Sequence, residues 1–117
     1  MTVRRIVANI ATPDPERASA FYEGLLGLKV VMDHGWILTF AAEGPQISPQ
    51  VSVASEGGSG TPVPDLSIEV DDVDGIYAGA IAAGFEITYA ITDEPWGVRR
   101  FFVRDPFGKL VNIMTHR

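Results

Sequence analysis

The chain contains no cysteine. That removes disulfides, thiolate nucleophiles and cysteine-ligated zinc from consideration. Histidine is nearly absent too: there are 2, His34 and His116. Neither has a partner at the short spacings that local metal motifs use. His34 falls in a loop and His116 beside the C-terminus, where chains are usually mobile, so both read as surface histidines. No apolar run reaches membrane-spanning length. Met1-Thr2-Val3-Arg4-Arg5 leads into a strand rather than a long apolar leader, so a cytoplasmic protein with no membrane partner is expected. Basic residues are in short supply, with 9 Lys and Arg against 15 Asp and Glu and a formal net charge of −6. Nucleic-acid binding draws its affinity from cations on phosphates, so no nucleic-acid partner is expected. The acidity mildly favours neutral or cationic ligands and also serves solubility. There is no glycine-rich phosphate loop and no supported Ser/His/Asp set.

What is present is a patterned, core-forming chain of 117 residues, 46% of them hydrophobic. A chain this size buries roughly two-thirds of its unfolded surface, enough for one core. The last third is the most legible part. Pro95-Trp96-Gly97 reads as an aromatic-tipped loop, followed by a strand from Arg99 to Arg104. The Asp105-Pro106-Phe107-Gly108 turn comes next, then a strand from Leu110 to Met114. Asp bonds the backbone ahead of it, Pro presets φ, and Gly tolerates positive φ.

Upstream, the chain repeats itself. Val3 to Ala11 alternates as a strand, and Asp14 with Pro15 starts a helix carrying Ala18, Phe21, Tyr22 and Leu25 on one stripe, stopped by Gly27. Extended segments follow at Leu28 to Met32, Gly35 to Ala41 and Val51 to Ala54. The pattern restarts after a Gly/Ser/Pro-dense stretch. A strand from Asp65 to Val70 precedes an Asp71-Asp72 cap, a helical stripe (Val73, Ile76, Tyr77, Ala80, Ile81) ending at Gly84, and an extended run from Phe85. The organisation predicted is a first βαβββ module over 1–55, a flexible linker over 56–64 and a second βαβββ module over 65–117. The fold class is α+β, with the two repeats pairing into a curved mixed sheet and the helices outside.

These marks carry a resemblance. Asp14-x-x-Arg17-x-x-x-Phe21-Tyr22-x-x-x-Leu26-Gly27, Pro95-Trp96-Gly97 and Arg104-Asp105-Pro106-x-Gly108, set on the repeat, resemble the vicinal oxygen chelate superfamily. That superfamily includes glyoxalase I, extradiol dioxygenases and bleomycin-resistance proteins, and the bleomycin-resistance branch is the most similar. The resemblance implies the glyoxalase/bleomycin resistance fold and a homodimer whose grooves take walls from both subunits, with antibiotic resistance as one role. Metal-using branches carry ligands at places that fall here on Val7, Asp65 and Asn112. Valine cannot ligate and asparagine offers one neutral oxygen, so no metal and no other cofactor is expected, and no catalytic residue is assigned.

The expected function is therefore binding, or sequestering, a small organic molecule, aromatic or cationic. The alternative is a metal-dependent lyase, isomerase or dioxygenase with a divergent site; a third reading is an interaction module. The candidate ligand-binding residues are Trp96, Trp36, Phe40, Asp65, Glu69, Arg99 and Asn112. Trp96 is either a stacking platform or a cover over the dimer seam or barrel end. Trp36, Leu38 and Phe40 share one strand face, directed at either the helix or the groove. Asp65, Ser67 and Glu69 share the face opposite Leu66, Ile68 and Val70. Arg99 lies opposite Arg100 and Arg104, and Arg104 is assigned to the Asp105 turn.

Overall fold

A computed structural model describes residues 1–44 and 49–117. The chain divides into two compact units. The first is Val7–Val63; the second is Pro64–Arg117 together with Met1–Ile6. Strand β1 (Val3–Ala11) contributes residues to both.

In the first unit, β1 is followed by a helical segment, β2 (Lys29–Asp33), β3 (Ile37–Ala41) and β4 (Gln50–Ala54). The hydrogen-bonded order is β2-β3-β4-β1, with β1 parallel to β4 and the other pairs antiparallel. The core sits beneath the helical segment, where Leu38, Phe40 and Val53 pack with Ala18, Tyr22, Leu28 and Val51. The helical segment differs from the single regular helix that the spacing predicts. It is a 3₁₀ turn over Pro15–Ala18 followed by a π-type turn over Ala20–Leu25. Local drive toward a regular helix is weak: the Asp14 side chain makes no capping bond, and Gly24 sits inside the second turn. The tertiary contact prevails, with the Tyr22 ring stacked on Phe40 at 5.4 Å and 29°.

In the second unit the elements are β5 (Leu66–Val70), helix α1 (Val73–Ala82), β6 (Ile87–Glu94), β7 (Val98–Arg104) and β8 (Leu110–His116). Their order is β5-β8-β7-β6, again with the first strand parallel to the last in chain order. Asp72 caps α1 by accepting from the Gly75 amide at 3.0 Å. Its apolar face lies on Val70, Phe101, Val111 and Ile113, and the Tyr77 ring meets Phe101 edge-on at 4.9 Å. Gly27 (φ 73°) and Gly84 (φ 80°) end the two helical segments in the left-handed conformation that favours glycine. Both units therefore have the βαβββ order and strand pairing of the expected α+β fold.

The segment 56–64 is a built loop rather than a loose tether. The Gly57 amide donates to the Thr61 carbonyl at 2.8 Å, the Gly60 amide to Glu56 Oε1 at 3.0 Å, and Thr61 Oγ1 to the Gly58 carbonyl at 2.7 Å. Gly57 is buried. A Cβ there would run into the Pro62 carbonyl oxygen and Thr61 Oγ1, which is why a glycine-rich sequence folds into a compact turn here.

Candidate functional site

Helix α1 covers one face of the second unit's sheet and leaves the other face to be read from strand alternation. Ile68, Val70, Val111 and Ile113 go to the helix. Ser67 and Glu69 on β5, and Asn112, Met114 and His116 on β8, take the opposite face. The register sets Ser67 beside Asn112 and Asn112 beside Phe102, then Arg100 beside Met114. This helix-free face carries the unit's polar chemistry.

Its centre is Asn112, only 7% exposed. Its Nδ2 donates to Ser67 Oγ at 3.0 Å. Its Oδ1 is buried and has no hydrogen-bond partner among the described residues. Turning the amide over would exchange the two atoms and leave the other one orphaned. Such a group costs about 1–3 kcal/mol when unsatisfied.

At the end of β8, His116 Nδ1 lies 2.7 Å from Glu69 Oε2, and Arg5 Nε lies 2.8 Å from Glu69 Oε1. A carboxylate only accepts, so Nδ1 carries the proton and donates it. Partial burial pushes the Glu69 carboxyl upward. The hydrogen bond from His116 and the charges of Arg5 and His116 outweigh this and hold it below the ordinary value of 4.5. The sequence reading left His116 as a surface residue at a mobile end. It is indeed exposed, and β8 runs past Met114 to bring it beside Glu69. The signal that could have found it is the alternation Asn112, Met114, His116 opposite Ser67 and Glu69.

A second cluster surrounds Arg100. Its Nη2 and Nε lie 2.6 and 2.7 Å from Glu94 Oε2, which also accepts from the Tyr89 hydroxyl at 3.0 Å. The guanidinium carbon stands 5.3, 4.9 and 4.8 Å from the Tyr89, Trp96 and Phe102 ring centroids. Trp96 is thus placed in the Pro95-Trp96-Gly97 turn as expected, with a guanidinium of its own chain within cation–π range.

The other expected site residues are spread more widely. Arg99 is on the helix side, bonded to Asp74 at 2.9 Å and paired with Asp93 at 3.2 Å. Its hydrogen bond holds the Asp74 carboxyl below its ordinary range. Phe40 is fully buried in the first unit's core, so it belongs to the helix side. Trp36 stacks on His34 at 5.9 Å. Asp65 is exposed, and its Oδ2 accepts from the Leu110 amide at 2.9 Å, tying the start of β5 to β8. Of the expected set, Glu69 and Asn112 share the helix-free face of the second unit. Arg104 donates to the Gly108 carbonyl at 2.9 Å and so holds the Asp105 turn.

A profile of the Glyoxalase/Bleomycin resistance protein/Dioxygenase superfamily matches residues 4–113. The chain belongs to this superfamily. Among solved structures, a superfamily member from Vibrio splendidus 12B01 is similar at 20% identity. The match has a TM-score of 0.67 and covers 97% of this chain and 99% of that one. A Mn(II)-bound glyoxalase from Novosphingobium aromaticivorans is similar at 21% identity and TM-score 0.62, over 97% of this chain and 38% of that one. These likenesses concern the fold. An uncharacterized protein of Mycobacterium bovis is 33% identical over 75 residues, 64% of this chain and 49% of its own length. The match thus spans about half the length of that relative.

The resemblance implies metal-ligand places at Val7, Asp65 and Asn112, and the side-chain chemistry at those positions does not fit a catalytic divalent ion. Such a site uses about three protein ligands and one open position. Val7 has no donor atom, Asp65 Oδ2 already accepts from the Leu110 amide, and Asn112 supplies a neutral amide. Among the described residues, no three His, Asp or Glu side chains converge in a metal-holding group.

Proposed function

We propose that this superfamily member binds a small organic molecule on the helix-free face of its second unit without a metal. The supporting observation is Asn112 Oδ1, a buried acceptor with no partner. A native fold retains such an atom at a stability cost, and a ligand N–H or O–H would satisfy it. Phe102, its neighbour on β7, and Met114, two residues on along β8, are themselves buried, so a ligand would reach Oδ1 as these apolar side chains move aside.

The same proposal has the protein working as a homodimer. In the first unit Ile10, Phe21, Leu25, Leu26 and Val31 are 42%, 52%, 69%, 55% and 59% exposed. Large exposed apolar side chains favour a covering surface, and a second copy would provide it. Light scattering at micromolar concentration reads this directly. Sequestration of an antibiotic in the cytoplasm is the biological role that fits.

The test is calorimetric titration with a panel of aromatic compounds bearing N–H or O–H donors, on the native protein and on Asn112→Ala. Binding without turnover that weakens about tenfold in the variant supports the proposal, this being the worth of one hydrogen bond to a desolvated acceptor. Equilibrium dialysis against Zn²⁺, Ni²⁺, Mn²⁺, Fe²⁺ and Co²⁺ provides the opposing arm. Stoichiometric micromolar metal binding that disappears in Asp65→Ala would establish the metal-dependent enzyme instead.

A further inference from the structure

We infer that the first unit holds a separate ligand site, a recess beside its helical segment that takes a small zwitterion, an amino acid with a short aliphatic side chain. This goes beyond the binding reading above. The recess lies in the other unit and uses none of the residues of the helix-free face.

The strand register builds its floor. Ile10 on β1 pairs with Val53 on β4. Val53 packs with Ala18 and Tyr22, so Ile10 beside it also faces the helical segment. Thr12 follows two residues on, and its amide continues the ladder by donating to the Ala54 carbonyl at 2.8 Å, which keeps it on the same side. With Asp14, Arg17 and Tyr22 these residues border a recess of about 240 Å³. That is below the roughly 300–1,000 Å³ of pockets for drug-sized molecules, so it suits a ligand of few atoms.

Charge then selects the ligand. Among the described residues at this recess, the charged ones are Asp14 and Arg17. The Arg17 amide donates to the Asp14 carbonyl at 3.1 Å, a spacing at which opposite side-chain charges ordinarily pair. Here they do not. Neither side chain makes an ion pair or hydrogen bond among the described residues, and Asp14 does not cap the turn. The Tyr22 ring is held by Phe40 at 5.4 Å and edge-on by Phe21 at 5.1 Å. Its hydroxyl also has no partner among the described residues. Thr12 Oγ1 accepts from the Asp14 amide at 3.2 Å, which leaves its own proton to donate. An anion would be drawn to Arg17 and repelled by Asp14, and a cation would meet the reverse. A molecule with both charges on neighbouring atoms satisfies the two. Its carboxylate meets the guanidinium and the hydroxyl donors, and its ammonium meets the Asp14 carboxylate. Ile10 and Val53 offer apolar surface to a short branched alkyl chain.

The experiment titrates the full chain with L-valine, and in parallel with 3-methylbutanoate, which lacks the ammonium, and 2-methylpropan-1-amine, which lacks the carboxylate. Calorimetry measures affinity, and amide NMR shifts locate the site. L-valine is expected to bind at millimolar concentration or below and to shift the amides of Thr12, Asp14 and Arg17. Each analogue is expected to bind about tenfold more weakly, the worth of one charge-assisted hydrogen bond. Arg17→Gln should erase the preference for valine over the amine, and Asp14→Asn the preference over the carboxylate. Both side chains are exposed, so both variants should fold, and the analogue comparison on the native protein needs neither. Absence of L-valine binding at millimolar concentration would overturn the inference. So would an analogue that binds as well as valine, a variant that folds and keeps the full preference, or shifts confined to the second unit. The aromatic panel and Asn112→Ala decide the other binding reading separately.

Discussion

Replacing Glu94 by glutamine should unfold this protein far more readily than its small chemical change implies. The Arg100 and Glu94 side chains are 4% and 3% exposed, and their closest contact is 2.6 Å. The variant keeps the shape and removes the charge, so a guanidinium stays buried without its counter-ion. Breaking one side of such a pair costs about 3–5 kcal/mol, and the three aromatic rings around Arg100 block its escape to water. Glutamine retains an acceptor oxygen, which places the expected loss near the lower end, about 3 kcal/mol. For a chain of this length each kcal/mol moves the melting temperature by roughly 4 °C, so calorimetry should record a fall of about 12 °C. The second substitution distinguishes the mechanism. Glu94→Gln with Arg100→Met removes both charges and should recover at least half of the loss, as apolar replacements of buried pairs commonly do. The deficit should also change little with salt, because ions screen a buried pair poorly. A fall of less than about 4 °C in the single variant, or no recovery in the double, would refute the reasoning.

Arg99→Ala, one residue away, should shift the melting temperature far less, because its partners Asp74 and Asp93 are both 61% exposed. Asn112→Leu should be neutral or up to about 1 kcal/mol more stable in urea unfolding, having removed an unsatisfied buried atom, while losing the ligand; a destabilisation of 2 kcal/mol or more, on the order of a lost satisfied network, would contradict the orphan assignment. Glu69 has a carboxyl held below 4.5 in the folded state, so its contribution is fully present above that ordinary value and vanishes as pH falls through the lower folded one. Acid titrations of the native protein and Glu69→Gln should therefore differ above pH 4.5 and converge well below it. Gly57→Ala should cost about 1–3 kcal/mol through overpacking against Pro62 and Thr61, checked by thermal unfolding.

The fold was legible because its signals are local. Alternation in Val3–Ala11 and the Asp105 turn each declare their conformation within a few residues, and the glycines at 27 and 84 mark where helical segments stop. The first helical segment was misread because its pitch follows from Tyr22 seating on Phe40, a contact invisible to residue spacing. The same limit applied to the site. Alternation set Ser67 and Glu69 apart from Ile68 and Val70, and separated Arg99 from Arg100. It could not say which arginine faces the helix. That depends on Asp74 lying at the start of α1 and on the β6–β7 register, which shifts between Tyr89 and Thr92 and brings Tyr89 beside Phe102. Phe40 and Trp36 remained ambiguous for a related reason: an apolar strand face looks alike whether it meets a helix or a ligand.

The duplicated strand order has one more consequence. Ser52 on β4 pairs in register with Thr39, as Asn112 on β8 does with Phe102. In the first unit Thr39 and Ser52 are 4% and 3% exposed, and their hydroxyls bond to each other at 2.7 Å. Its twin presents an amide with a bare oxygen. Both positions are buried; one holds a satisfied hydroxyl pair and the other an acceptor left over. Writing Thr and Ser at 102 and 112 would supply the same hydroxyl pair there, at the cost of the buried Phe102 ring that packs on Tyr89 and Arg100.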